Sequence, residues 1–272
     1  MEQRGLNRLT STTMSETLSL SSEDLAFLGP YLPPSSLDSS RHSDAPGASP
    51  KLPFTTLTYA CSLDGRISLA PGTRTALSGP ESKSLTHYLR LHHDAILIGV
   101  GTAIADNPSL NCRYPGAALK DQPRPVIVDP RARWGREGEV VRLVGEGKGL
   151  EPWVLVGVGV DAIAGMGKVI DVKVLELKAT ESQGARFAWR DVLELLAKRG
   201  MRSVMIEGGA SVINDLLANE RGLIDSVIVT VAPTWLGEGA VAASPAKSVA
   251  AMTDVKWRQF GADAVVCGRL PR

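Results

Sequence analysis

The chain has 272 residues, 43% of them hydrophobic and 5% aromatic, which suits one or two domains around a buried core. Thirty basic residues stand against 29 acidic ones, a net charge of +1. That balance leaves no field for nucleic acid or an anionic membrane, and so few aromatics make a poor stacking platform for single strands.

Cys61, Cys112 and Cys267 lie far apart and form no C-x-x-C pair, so neither a disulfide framework nor a zinc site is expected. A reducing, cytoplasmic setting follows. The longest apolar stretches, Ala95–Ala105 and Val154–Val160, are too short and too interrupted by glycine to cross a bilayer.

Residues 1–50 are rich in Ser, Thr and Pro and read as a mobile extension that cannot bury enough apolar area to fold alone. The exception is Ser22–Leu28, where a cap, an acidic first turn and apolar residues predict a brief helix docked on the main domain. Residues 51–272 form that domain. Phe54–Ala60 is β-branched and aromatic and ends in a Ser62-Leu63-Asp64-Gly65 turn, a strand signature. Pro80 opens a helix over Glu81–His92. Ala95–Gly99, Val126–Val128 and Trp153–Gly157 are apolar runs typical of strands buried on both faces, and Gly135–Leu150 reads as a charged, Gly-rich connection. Trp189–Lys198 is a helix stopped at Gly200. Ser203–Ile206 follows as a strand, Ser211–Ala218 as a helix and Ser226–Val231 as a strand, and Val255–Phe260 pairs with Ala264–Leu270 as a hairpin. The pattern predicts a three-layer α/β/α domain with a mostly parallel sheet and an antiparallel C-terminal hairpin.

Three glycine clusters follow predicted strands. Gly157-Val158-Gly159 with Ala162 fits the dinucleotide spacing, but that fingerprint requires a helix next, and the chain returns to a strand-like Lys168–Leu177. Gly99-Val100-Gly101-Thr102 reads as a loop able to place Thr102 and Asp106 near a ligand, or as a tight turn capped by Asp106 or Asn107. Glu207-Gly208-Gly209-Ala210-Ser211 runs straight into a helix, where two glycines allow close approach and the first N–H groups are unpaired, a sound phosphate cradle. The chain carries neither a G-x-x-x-x-G-K-[ST] loop nor a G-x-S-x-G elbow. His42, His87, His92 and His93 show no metal spacing, and those on the 81–92 helix read as surface or capping residues. Arg66, Arg90 and Arg113 flank the ligand loops and suit phosphate through their two-pronged forks.

Taken in order, Thr58–Ile67, Gly99–Thr102 with Asp106-Asn107-Pro108, and Glu207-Gly208-Gly209 resemble the riboflavin-pathway reductases, which are close in fold to dihydrofolate reductase. Phe27–Pro33 and Asp225–Pro233 are similar to the stand-alone fungal form. The resemblance implies NADPH-dependent reduction of the ribosylamino group of a phosphorylated ribosylaminopyrimidine, in a homodimer with no metal. It implies that Thr102 and Asp106 touch NADPH and that Gly208, Gly209, Ala210 and Ser211 receive its phosphates. Glu207 would face the substrate as a catalytic residue, with Asp64 and Arg66 near the sugar. Arg90, Asn107 and Arg113 would bind substrate, the arginines near its phosphate. Bacterial members commonly carry lysine where this chain has Arg66, and arginine keeps its charge at any working pH, which favours an electrostatic role. The deaminase motifs H-x-E and P-C-x-x-C are missing, which points to a substrate not yet deaminated. The rival readings are a dihydrofolate-reductase-type enzyme and a non-catalytic nucleotide-binding regulator.

Overall fold

The computed structural model describes residues 18–34, 51–135, 137–160, 173–178, 186–219, 221–249 and 251–271. The rest of the Ser/Pro-rich extension, and residues 161–172 after the Gly157-Val158-Gly159 turn, lie outside the described residues.

A single nine-stranded sheet organises the domain. Strands β1 (Phe54–Ser62), β3 (Ala95–Gly99), β4 (Arg124–Val128), β5 (Trp153–Gly157), β6 (Lys173–Leu177), β7 (Ser203–Gly208) and β8 (Ser226–Ala232) run parallel. The expected hairpin, β10 (Thr253–Phe260) with β11 (Asp263–Arg269), adds antiparallel to β8. The order across the sheet is β10-β11-β8-β1-β7-β3-β4-β5-β6, with β2 (Arg66–Ser68) and β9 (Val241–Ala242) forming a separate ribbon.

Register explains the layers. Ile96 pairs with Met205 and Leu97 with Ile206, so alternate residues of neighbouring strands point to opposite faces. The Ile96 and Met205 face is covered by α1 (Ser22–Leu28), α2 (Pro80–Leu91), α3 (Val100–Asp106) and α4 (Glu139–Gly145). The Leu97 and Ile206 face is covered by α5 (Trp189–Lys198) and α6 (Ala210–Asn219). In α5, Trp189, Val192, Leu193 and Leu196 make one buried stripe, and Gly200 just past the helix has φ +87°.

The short helix α1 forms and docks. The Ser21 hydroxyl accepts the Asp24 N–H at 3.1 Å, and the Asp24 carboxylate accepts the Ser21 N–H at 2.9 Å, a complete capping box. Leu28 and Tyr31 pack against Leu85, Leu89 and Phe260. Fully burying a leucine such as Leu28 contributes roughly 1.5–3 kcal/mol. Arg258 of β10 clamps the outer side, 2.6 Å from Asp24 and 3.0 Å from Glu23.

Four features depart from the sequence-based expectations. Gly99–Asp106 is not a loop: Val100 and Ala103 bury one face against Ile96, Ile98 and Ile127, and that packing overrides the weak propensity of Gly101 and Thr102. The Gly135–Leu150 connection holds α4, whose first N–H, on Glu139, is received at 2.9 Å by the side chain of Asn107. The β2–β9 ribbon was not expected, because its second strand has only two residues. His87 is buried rather than a surface residue, and His93, just past the helix, is buried as well. His92 does cap α2, with its Nδ1 2.9 Å from the Tyr88 carbonyl.

His93 fits a neutral ring: Nδ1 donates to the Leu89 carbonyl at 2.7 Å and Nε2 accepts from the Thr56 hydroxyl at 2.8 Å. Burial pushes its pKa down to about 4, and burial with Arg90 and Arg113 pushes that of His87 down to about 3. Unfolded histidine titrates near 6.5, so below that pH the unfolded chain takes up protons that the folded chain refuses. Their stabilisation is complete above about pH 6.5 and is lost as the pH falls towards 4. The urea midpoint should therefore drop between pH 7 and pH 5, by up to about 1.4 kcal/mol of stability per pH unit for each histidine. His93→Gln should show a shallower drop.

Among the described residues, no helix is long and apolar enough to cross a membrane.

Candidate active site

Strands β1, β7 and β3 are parallel neighbours, so the loops after them open along one rim, where ligands of open α/β sheets bind. Three groups of residues singled out in the sequence meet there: Asp64 and Arg66 after β1, Thr102 and Asp106 after β3, and Glu207 to Ser211 at the end of β7.

The glycine cradle lies between the last two groups. Gly208 and Gly209 have φ of +89° and +90°, a region L residues rarely adopt. A Cβ on Gly209 would sit 2.5 Å from the Thr102 hydroxyl, and one on Gly208 would sit 2.6 Å from Ile213. At Gly99 a Cβ would come within 3.1 Å of Val212. The two loops are thus packed to backbone contact. The first intrahelical bond of α6 runs from the Ile213 N–H to the Gly209 carbonyl at 3.0 Å. The N–H groups of Ala210, Ser211 and Val212 therefore have no helical acceptor, and they lie at the positive end of the helix dipole. Thr102, Gly208, Gly209, Ala210 and Ser211 are brought together beside free helix N–H groups, an arrangement able to receive an anionic group.

Glu207 and Arg90 are brought together as a pair. Arg90 Nε and Nη2 donate to the two carboxylate oxygens at 2.9 and 2.8 Å, and Nη1 donates to the Asn111 carbonyl at 3.0 Å. The side chains are 9% and 18% exposed. Glu207 shares the face of β7 with Met205, which packs on α2, so the pairing follows from strand alternation. Each carboxylate oxygen keeps a further lone pair.

Asp64 is committed to the backbone of its own surroundings. It accepts the N–H of Leu236 at 3.2 Å and of Gly237 at 2.8 Å, as well as the Ser62 hydroxyl. These bonds, that of Ser62 first, hold its pKa down to about 2. Arg66 completes the latch, with Nη1 donating to the Ala240 carbonyl at 3.0 Å, while its buried Nε has no partner among the described residues. Asp64→Ala should release the 234–240 segment from the turn after β1. Limited proteolysis should then cleave that segment faster than in the parent protein, with the rest of the domain resistant.

Asp106 ends α3, and burial pushes its carboxyl up, against Arg74. Asn107 follows with φ +43°, and its side chain caps α4. Arg113 is exposed and lines a cleft of about 400 Å³ together with Asn111, Gln122, Arg142 and Lys148.

Sequence reasoning missed His87. It receives the Arg113 N–H on Nδ1 at 3.1 Å, and its Nε2 faces the Arg113 guanidinium. The neighbouring Cys112 is fixed by Gln122, whose carboxamide accepts the Cys112 N–H at 2.7 Å and donates to its carbonyl at 2.9 Å. One signal was available: His87 and Arg90 are three apart on a helix and so share its inner face.

The family model described as the RibD C-terminal domain matches residues 53–266. The 2,5-diamino-6-ribosylamino-4(3H)-pyrimidinone 5′-phosphate reductase of Eremothecium gossypii is 42% identical over 258 residues, covering 92% of this chain and 97% of that one. The solved structure of the riboflavin biosynthesis reductase Rib7 of Saccharomyces cerevisiae aligns with a TM-score of 0.73 at 34% identity, over 92% of this chain and 100% of that one. Acinetobacter baumannii RibD aligns with a TM-score of 0.63 at 25% identity, over 81% of this chain and 59% of that chain.

Proposed function

This chain belongs to the RibD C-terminal domain family, and on that footing we propose the reaction it carries out and the residues that serve it. It reduces the ribosylamino group of 2,5-diamino-6-ribosylamino-4(3H)-pyrimidinone 5′-phosphate to ribitylamino in riboflavin biosynthesis; its relatives are named as reductases of that pyrimidinone phosphate. The reductant is NADPH. The observation that carries the cofactor assignment is the start of α6 just behind Gly208-Gly209, where the N–H groups of Ala210, Ser211 and Val212 have no helical acceptor.

When bound, NADPH supplies the hydride that reduces C1′ of the opened sugar. The protein's own part is to bind and orient. Ala210 and Ser211 offer N–H donors to the cofactor phosphates, and Thr102 and Asp106 form the adjoining wall. Glu207, fixed by Arg90, turns its spare lone pairs towards the substrate's hydroxyls. Asp64 and Ser62 hold Arg66 near the sugar, where its permanent charge acts electrostatically. Arg113 meets the substrate phosphate. Holding donor and acceptor in register supplies much of the rate enhancement in such a site.

We extend the reading to a cytoplasmic homodimer. Cys61, Cys112 and Cys267 are free and buried, in keeping with a reducing compartment. A groove of about 630 Å³ lined by Tyr59, Val229, Met252, Trp257 and Leu270 adjoins the edge strand β10, whose Trp257 is 63% exposed. Such a patch suits a second copy of the chain. Light scattering should give a dimer mass that Trp257→Glu lowers to that of the monomer.

Turnover is tested by following NADPH oxidation with the pyrimidinone phosphate, against NADH and dihydrofolate as controls. Oxidation only with NADPH and the pyrimidinone phosphate is expected. Cofactor binding without turnover would move the protein to the regulator reading.

A further inference from the structure

Residues 107–113 cross the protein without helix or strand, yet Leu110, Asn111 and Cys112 are only 0%, 7% and 3% exposed. A buried loop must find partners for its N–H and C=O groups, because water does not reach them. Leu110 also has φ +51°, a region that bulky L residues rarely adopt, so the surroundings hold the segment on its course.

Two successive peptide units carry the restraints. In the unit joining Asn111 to Cys112, the carbonyl accepts from Arg90 Nη1 at 3.0 Å and the N–H donates to Gln122 Oε1 at 2.7 Å. In the unit joining Cys112 to Arg113, the carbonyl accepts from Gln122 Nε2 at 2.9 Å and the N–H donates to His87 Nδ1 at 3.1 Å. The C=O and N–H of a trans peptide point opposite ways. Helix α2 therefore grips one edge of the segment and Gln122 the other, its carboxamide taking the place of a peptide group in a neighbouring strand. Gln122 is itself buried and lies two residues before β4, so it is anchored to the sheet.

The other donors of Arg90, Nε and Nη2, are committed to the Glu207 carboxylate. Only one peptide unit thus separates the Gln122 carboxamide from the guanidinium that holds Glu207. In such a chain each hydrogen bond polarises and orients the next.

We propose that Gln122 is a positioning residue for Glu207: it sets the Asn111–Cys112 peptide that fixes Arg90, and Arg90 fixes the carboxylate. The proposal rests on the reading of Glu207 as the group that faces the substrate. Gln122 acts through the pair and not by touching substrate or cofactor.

Gln122→Met keeps the length of the side chain and loses both bonds. Its kcat should fall about tenfold, since a misplacement of about 1 Å in a reacting geometry can cost about a hundredfold. Its KM for NADPH, bound at the start of α6, should not change. A residue that merely satisfies a buried loop would lower Tm and leave kcat at the parent value below the transition, and that result would overturn the proposal.

A mutant cycle gives the sharper readout. With Glu207→Leu and Arg90→Met in place the pair is gone, so adding Gln122→Met should cost no further kcat. The same loss as in the parent background would overturn the proposal. Gln122→Glu keeps an acceptor for the Cys112 N–H, and it enters the same cycle with the same expectation if Gln122→Met does not fold. Should neither fold, NMR of the parent decides: the Gln122 carboxamide resonances should shift when the dephosphorylated nucleoside binds, and no shift would overturn the proposal. If Glu207→Gln is impaired and Gln122→Met is not, the proposal fails alone. If Glu207→Gln turns over like the parent, the reading of Glu207 fails and takes the proposal with it.

Discussion

Glu207→Gln should lower stability by about 3–5 kcal/mol and kcat/KM about a hundredfold, because it leaves the Arg90 guanidinium buried without a countercharge. The pair is two-pronged, and its arginine is tied by a third bond to Asn111, so little rearrangement can relieve the loss. The two effects should separate in the double variant Glu207→Leu with Arg90→Met. There both charges are gone, and apolar replacement of a buried pair is often close to neutral. Denaturant midpoints should return towards the parent value while activity stays low. A double variant that regains activity would show that the pair is only a structural strut. A Glu207→Gln variant with parental stability and turnover would remove both roles.

Gly209→Ala carries the second large effect. The added methyl would lie 2.5 Å from the Thr102 hydroxyl, on a backbone with φ +90°. An L residue held there costs about 1–3 kcal/mol before any crowding is counted. We expect KM for NADPH to rise more than tenfold with KM for substrate less affected. Adding Thr102→Ala removes the crowding but not the backbone strain, so recovery should be partial. Gly101→Ala is the control: among the described residues no atom beyond its own turn of helix lies within 4 Å of its Cβ, and it sits inside α3. It should be neutral or stabilising by up to about 1 kcal/mol.

The parallel core was legible because strands buried on both faces leave apolar runs, as Ala95–Gly99 and Trp153–Gly157 do. Helix α5 was legible from its apolar stripe and its glycine stop. What could not be read depends on partners distant in the chain. Helix α4 takes its cap from Asn107, 32 positions earlier. Glu207 and Arg90 are 117 positions apart, and no local pattern couples them. Asp64 reads in the sequence as a group near a ligand, and nothing local shows that it also receives the N–H groups of Leu236 and Gly237, more than 170 positions on. The glycine loops marked where backbone comes close, and the resemblance supplied a proposed chemistry for them. The sequence motifs located the rim. The pairings along it needed three dimensions.

The most direct test is a single turnover with NADPH deuterated at its transferable position and the pyrimidinone phosphate as substrate, with the product read by NMR. Deuterium at C1′ of a ribitylamino product is the result expected of a reductase built on this cradle and rim. Label in the pyrimidine ring, or bound cofactor that never transfers its deuterium, would contradict the account.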